Sequence, residues 1–238
     1  MTDAFLDGRV RVTQPETGFR SGLDAVMLAA AVPAASGQAA LELGSGAGTA
    51  SLCLAARIPG LGLSGVERDE SLVALARANA EANGFDCRFA AADIFALPPE
   101  LKRDFDQVLA NPPFHGEGQA SPDERRAGAL MDDGWLGDWL KLGLQRTVSG
   151  GFFTAILRAD RLNEALVALP EKGVCAFPLW PRAGETAKRV IVQVRKGSHA
   201  PFALLPGLVL HTEDGSWTAE ADAVLRRGTA LALSGARL

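Results

Sequence analysis

The sequence predicts an α/β protein: a doubly wound, mostly parallel sheet with helices on both faces. Two observations predict it. Apolar runs of strand length alternate with segments of helical spacing, and a glycine-rich turn joins the first such run to the helix after it. Residues 39–43 are a short apolar run ending at Gly44, and 47–57 read as a helix stopped by Pro59-Gly60. The second strand is 61–67. Residues 70–82 follow with Leu72, Leu75, Ala76 and Asn79 at helical spacing, and Asn83-Gly84 end that helix because both tolerate left-handed backbone. Three more strands are read at 86–91, 105–110 and 152–157, with a helix around 136–148 before the last. Residues 172–179 and 188–195 are both strand-like and share a Pro/Gly loop, so they are expected to form an antiparallel hairpin that closes the sheet edge. An Ala/Leu-rich helix at 21–32 precedes the first strand. A strand candidate at 207–211, a Glu213-Asp214-Gly215 turn and a helix at 218–227 follow the hairpin.

These elements suggest a single domain of 238 residues, with a leading segment (1–36), a core (37–197) and an extension (198–238). An apolar fraction of 47% suffices for a sizeable core. The nearest approach to a membrane span, residues 25–35, is interrupted by Pro33 and falls short of the roughly 18 apolar residues required. The first ten residues carry acids and no hydrophobic stretch, so no secretory leader is expected. Cys53, Cys87 and Cys175 lie far apart without metal-ligand spacing and read as reduced thiols of a cytoplasmic protein, with no metal site. A net charge of −4 argues against a protein that coats nucleic acid. The charge is uneven, however: the first 115 residues hold 9 basic and 14 acidic groups, the remainder 15 and 14. Arg182, Lys188, Arg189, Arg195 and Lys196 face only Glu185 within 178–212, which leaves room for a nucleic-acid substrate beside the reading of a solvated face.

Four motifs carry chemistry. In residues 41–48, LELGSGAG, the glycines permit a tight turn and close approach of a ligand to the main chain. Glu67 ends the second strand, 19 residues after Gly48, where an acid in this architecture takes up ribose hydroxyls. No phosphate-binding lysine follows the turn and Glu42 would repel a phosphate, so the expected ligand is a nucleoside without pyrophosphate. Asp93 follows the third strand and can accept from an adenine amine while Ile94 covers the ring; the alternative is a helix N-cap. Most specific is 110–115, ANPPFH, directly after the fourth strand. Pro112 and Pro113 stiffen the chain, so the Asn111 side-chain carbonyl and the Pro112 carbonyl can both receive an NH₂ group while Phe114 stacks on its ring.

LELGSGAG, Glu67, Asp93 and NPPF, in this order, resemble the class I S-adenosylmethionine-dependent methyltransferases that alkylate exocyclic or amide nitrogen. The flanks, GFRSGLDAVMLAAAV at 18–32, AKRVIVQVRKG at 187–197 and HTEDGSWTAEA at 211–221, resemble the bacterial tRNA adenine-N6 methyltransferases that act on a valine tRNA beside the anticodon. That group usually has Tyr where Trp217 stands. The resemblance implies a Rossmann-like sheet of seven strands with the last antiparallel, and S-adenosylmethionine as cofactor. It also implies site roles: Gly44, Gly46 and Gly48 at the methionine part, Glu67 at the ribose, Asp93 at the adenine, Arg20 and Asp24 closing over the cofactor, and Glu42, Arg68, Ile94 and Asn111 as further cofactor-binding residues. Asn111 through Phe114 would hold the target base.

The expected reaction is in-line methyl transfer to a nucleobase amine of an RNA, with tRNA foremost. Catalysis would come from alignment and desolvation rather than acid–base groups. His115 is a candidate substrate contact. Residues 116–126, with Arg125 and Arg126, read as a substrate loop meeting phosphate, and Arg182, Lys188 and Arg189 as a second contact. Guanine N2 of ribosomal RNA, a glutamine amide, and a non-catalytic cofactor-binding subunit are the alternatives. The sequence leaves the oligomeric state open.

Overall fold

A computed structural model describes residues 1–17, 20–113, 135–231 and 233. The chain opens with two strands, β1 (Thr2–Phe5) and β2 (Val10–Thr13), paired antiparallel, and then forms α1 (Leu23–Ala31). The alternating units follow: β3 (Ala39–Leu43), α2 (Thr49–Arg57), β4 (Gly62–Glu67), α3 (Glu70–Asn83), β5 (Cys87–Ala91) and β6 (Phe105–Ala110). After them come α4 (Trp135–Gln145), β7 (Thr147–Arg158), α5 (Leu162–Ala168), β8 (Val174–Trp180) and β9 (Arg189–Arg195). Two short strands, β10 (Ala203–Leu204) and β11 (Leu208–Val209), and α6 (Ala219–Arg227) end the described chain.

The seven principal strands run in the order β8-β9-β7-β6-β3-β4-β5, with only β9 antiparallel to its neighbours. β10 and β11 both add to the outer side of β8, in parallel. The predicted hairpin is therefore real, but β9 does not close the edge: it is inserted between β7 and β8. Its sequence explains this. Val190 through Val194 are buried without alternation, as suits a strand covered on both faces, and the outer strand β8 is instead shielded by β10 and β11. Sequence reading placed the alternating strands within a few residues of their observed limits. It missed β1, β2, α5 and β10, which are short and carry little periodicity of their own.

Two apolar layers sandwich the sheet. Met27 and Leu28 of α1, Leu52 and Leu54 of α2, and Val73 of α3 pack with Leu109 and Ile156 on one face; Leu136 and Leu140 of α4 pack with Leu43, Val108 and Leu157 on the other. α3 is closed at both ends by its own sequence. Asp69 caps the N-terminus by accepting from Ser71 and Leu72, and Gly84 ends the helix with φ 70°.

The first hairpin has no place in the main sheet, so its backbone must find partners elsewhere. Two asparagines of α3 supply them. Asn83 exchanges hydrogen bonds with Arg11 backbone, accepting at 2.9 Å and donating at 2.7 Å. Asn79, only 3% exposed, accepts from Thr13 N–H at 2.8 Å and donates to Thr13 O at 2.9 Å and to Ala47 O at 3.0 Å. One side chain thus fastens the leading segment to the glycine turn. Replacing it strands buried polar groups, so Asn79→Ala is expected to cost about 2–4 kcal/mol. Urea denaturation of both proteins measures it, and an unchanged midpoint would contradict the bridging role.

Candidate active site

Strand register brings the predicted motifs to one edge. Leu43 of β3 pairs with Val66 of β4 and with Ala110 of β6, and Glu67 pairs with Ala91 of β5. Gly44, Glu67, Asp93 and Asn111 therefore sit at or just past the carboxyl ends of four adjacent parallel strands, the crevice in which open α/β sheets bind ligands.

The glycine turn is held by its own backbone and by the acid next door. Gly44, Gly46 and Gly48 have φ values of 67°, 53° and 87°, which side chains rarely adopt. Ser45 N–H donates to Val66 O at 3.0 Å, and Gly46 N–H donates to Glu67 Oε2 at 3.1 Å. A side chain at Gly44 would strike the Trp139 ring at 2.6 Å, whereas one at Gly46 would meet nothing within 4 Å. The turn is therefore packed from below and open above Gly46. Glu67 also receives Arg68 N–H at 2.8 Å and Asp69 N–H at 3.1 Å on Oε1, so it organises the end of β4. Only Oε2 keeps capacity for a further donor, since a carboxylate oxygen accepts about two.

Asp93 is an N-cap, as one reading had it: Oδ1 accepts from Phe95 N–H at 2.9 Å at the start of a 3₁₀ turn, Ile94–Ala96. Its other oxygen has no partner among the described residues, and Ile94 beside it is buried. Asn111 is half-buried, and its Oδ1 is buried without a hydrogen-bond partner among the described residues. An orphaned buried carbonyl is costly unless a donor arrives, which marks this atom as a receiving point. Pro112 is buried and Pro113 exposed. Phe114, His115, Arg125 and Arg126 lie outside the described residues.

Glu42 lies beneath the turn, 3% exposed. Its Oε2 accepts from Ser51 N–H at 3.0 Å and Ser51 Oγ–H at 2.5 Å, yet burial pushes its carboxyl up to about 8, with the Glu67 charge adding to the rise. Burial likewise pushes the free thiols of Cys53 and Cys87 to about 12 and of Cys175 to about 11.

Several other expected residues form ion pairs in the ligand-free protein. Arg20 grips Asp3 at 2.6 and 2.7 Å, holding that carboxyl below its usual range, and Asp24 pairs with Arg189 at 2.8 Å. Arg68 is exposed beside Glu67, Lys188 is exposed, and Arg182 pairs with Glu185 at 3.4 Å. Sequence reading passed over Ser51, which holds Glu42, and the bridging role of Asn79. The latter had a legible signal: an amide on the buried, apolar stripe of a helix. Among the described residues no cluster of His, Cys, Asp and Glu is placed to hold a metal, and no helix is long and apolar enough to cross a membrane.

The methyltransferase small domain model matches residues 21–127. The tRNA1(Val) (adenine(37)-N6)-methyltransferase of Aeromonas hydrophila is 25% identical over 212 residues, covering 87% of this chain and 89% of that one. Ribosomal RNA small subunit methyltransferase C of Salmonella arizonae is 34% identical over 121 residues, 50% of this chain and 34% of that one. A crystal structure from Agrobacterium tumefaciens, described as a predicted O-methyltransferase, superposes with TM-score 0.71 at 26% identity, covering 87% of this chain and 97% of that one. The chain is an S-adenosylmethionine-dependent methyltransferase.

Glu42 sets a pH signature in the ligand-free protein. Its raised carboxyl stays protonated in the native state where the unfolded chain has already ionised. Stability is therefore greatest at low pH on this account and falls by roughly 1.4 kcal/mol per pH unit until both states are ionised above about 8. Glu42→Gln should remove that slope between pH 5 and 8 in denaturant titrations; parallel slopes in both proteins would contradict it.

Proposed function

We propose that this methyltransferase alkylates an exocyclic amino nitrogen of a nucleobase in RNA, foremost adenine N6 of a tRNA beside the anticodon. The observation that carries the reading is the buried, unpartnered Asn111 Oδ1, on a strand end adjacent to the glycine turn. The names of the relatives, a tRNA adenine-N6 and a ribosomal RNA methyltransferase, support an RNA acceptor.

The residues present fit the cofactor. The turn is open above Gly46, Glu67 Oε2 has capacity for a ribose hydroxyl, and Asp93 has an uncommitted oxygen beside the apolar Ile94 for an adenine amine. When bound, S-adenosylmethionine supplies a methyl group made electrophilic by a sulfonium. Gly44 through Gly48 would wrap its methionine part, above the buried Glu42. Arg68 would stand at the outer side of the ribose.

The chain's own part is alignment. Asn111 Oδ1 accepts one hydrogen of the target amine and the Pro112 carbonyl the other, which draws the nitrogen lone pair out of conjugation. Two acceptors suit an NH₂ group better than a hydroxyl with its single hydrogen, and this favours nitrogen over oxygen as the acceptor atom. Pro112 and Pro113 hold that corner stiff because neither backbone can rotate about φ. Phe114 would stack on the ring, and His115 would contact the substrate. The surplus proton of the alkylated amine can leave to solvent, so no buried base is required. Holding the reactants in line can contribute on the order of 7–11 kcal/mol. Swinging a base out of its stack costs a few kcal/mol, which the aromatic contact offsets. Arg125, Arg126, Arg182, Lys188 and Arg189 would meet phosphate groups. Arg20 and Asp24 would border the cofactor from the leading segment.

Asn111→Ala should lower the transfer rate by about 10²–10³, as loss of one preorganised polar contact does, while calorimetric affinity for S-adenosylmethionine stays within a few-fold. A fully active variant would remove the amine clamp. Glu67→Ala should weaken cofactor binding instead. Mass spectrometry of nucleosides from cells with and without the protein tests the acceptor. Loss of N6-methyladenosine from tRNA is expected; loss of N2-methylguanosine from ribosomal RNA, or of an O-methylated product, would replace that assignment.

A further inference from the structure

The end of β7 lies beside the Asn111 corner. Ala110 pairs with Ala155, and β7 continues beyond that point to Arg158. Side chains alternate along a strand, so Arg158 shares a face with Ile156, and Asn111 continues the face of Leu109. Leu109 and Ile156 belong to one core layer, which puts Asn111 and Arg158 on the same side of the sheet. One strand spacing across and two residues along place their Cα atoms ~8 Å apart.

Arg158 is 41% exposed on its side chain. Asp160 accepts from its Nε at 3.0 Å and also from Nη2. The carboxylate occupies the Nε–Nη2 edge of the guanidinium, fixes its plane, and leaves the Nη1–Nη2 edge uncommitted among the described residues. That remaining fork matches two phosphate oxygens. The neighbouring strand adds charge. Arg189 stands opposite Arg158 in register with its Nε on Asp24 at 2.8 Å, and Lys188 O receives Ala159 N–H at 3.1 Å. Arg158 and Arg189, each held by a carboxylate, thus share one face at one strand end, with the exposed Lys188 next in the chain, close to the point where the base is read.

We propose that Arg158, oriented by Asp160, binds a backbone phosphate of the RNA strand whose base enters the Asn111 corner. This rests on the RNA reading above and adds to it the contact nearest the reacting base. Asp160 is a positioning residue: it acts through the guanidinium and touches no substrate.

The test uses the full chain and an unmodified valine tRNA transcript. Binding is measured from 50 to 300 mM KCl, together with methyl-transfer kinetics. Arg158→Gln should flatten the plot of log affinity against log salt by about one contact, a slope change of roughly 0.7–0.9. Its KM for RNA should rise about tenfold, kcat should stay within about twofold and affinity for S-adenosylhomocysteine should be unchanged. Arg158→Lys should restore the salt slope but only part of the KM, because a point charge replaces the fork. Asp160→Asn should keep the salt slope and raise KM. If wild type binds RNA with a steep salt dependence that Arg158→Gln does not alter, the phosphate contact is overturned and the RNA reading stands. A shift in melting temperature alone marks an ordinary surface pair and overturns it likewise. Wild type that binds no RNA overturns the RNA reading itself.

Discussion

The pairing of β3 with β6 sets Leu43 against Ala110, so the glycine turn and the Asn-Pro-Pro corner leave adjacent strands at the same height. The chemistry depends on that coincidence. In a parallel sheet a register slip of one residue would turn every side chain of β6 to the opposite face and carry Asn111 away from the turn. The register is secured by burial on both faces of β6, where Val108 joins one apolar layer and Leu109 the other.

Polar groups beneath the crevice are treated in two ways. Some are tied to the protein itself: Glu67 takes three backbone donors while its Oε2 keeps room for one more, Asn79 bridges Thr13 and Ala47, and Ser51 holds Glu42. Those that would meet ligand keep an atom unspent, as with Asn111 Oδ1 and one oxygen of Asp93. Engaged groups give a rigid frame, and the unspent atoms are where binding can return the cost of desolvation. Glu42 lies between these classes. It is buried and held, yet its carboxyl is pushed up to about 8, so its charge at neutral pH is sensitive to whatever cationic group stands above it.

Much of this was legible from residue pattern alone because the signals are local. An apolar run followed by glycines marks a strand and its turn, and Asp69 and Gly84 mark the ends of α3 through capping that needs no distant partner. The order of the motifs also sufficed to place them along one sheet edge. What escaped were elements without a pattern of their own, such as β1 and β2, and side chains whose meaning lies in a distant partner. Asn79 looks like one more position on a helix until Thr13 and Ala47 arrive beside it. Arg158 and Asp160 belong to no motif in the sequence, and their place beside the corner emerges only when β6 and β9 are laid next to β7.

Local chemistry in the chain determined the alternating architecture, the left-handed turn and the acceptors at the strand ends, because dihedral preference and hydrophobic period act over a few residues. Only the tertiary structure decided that β9 lies inside the sheet, and that Asp24 and Arg20 are taken by Arg189 and Asp3. It alone left Asn111 Oδ1 buried and unpartnered among the described residues. Those outcomes hang on which distant surfaces exclude water together, and neither spacing nor propensity encodes that.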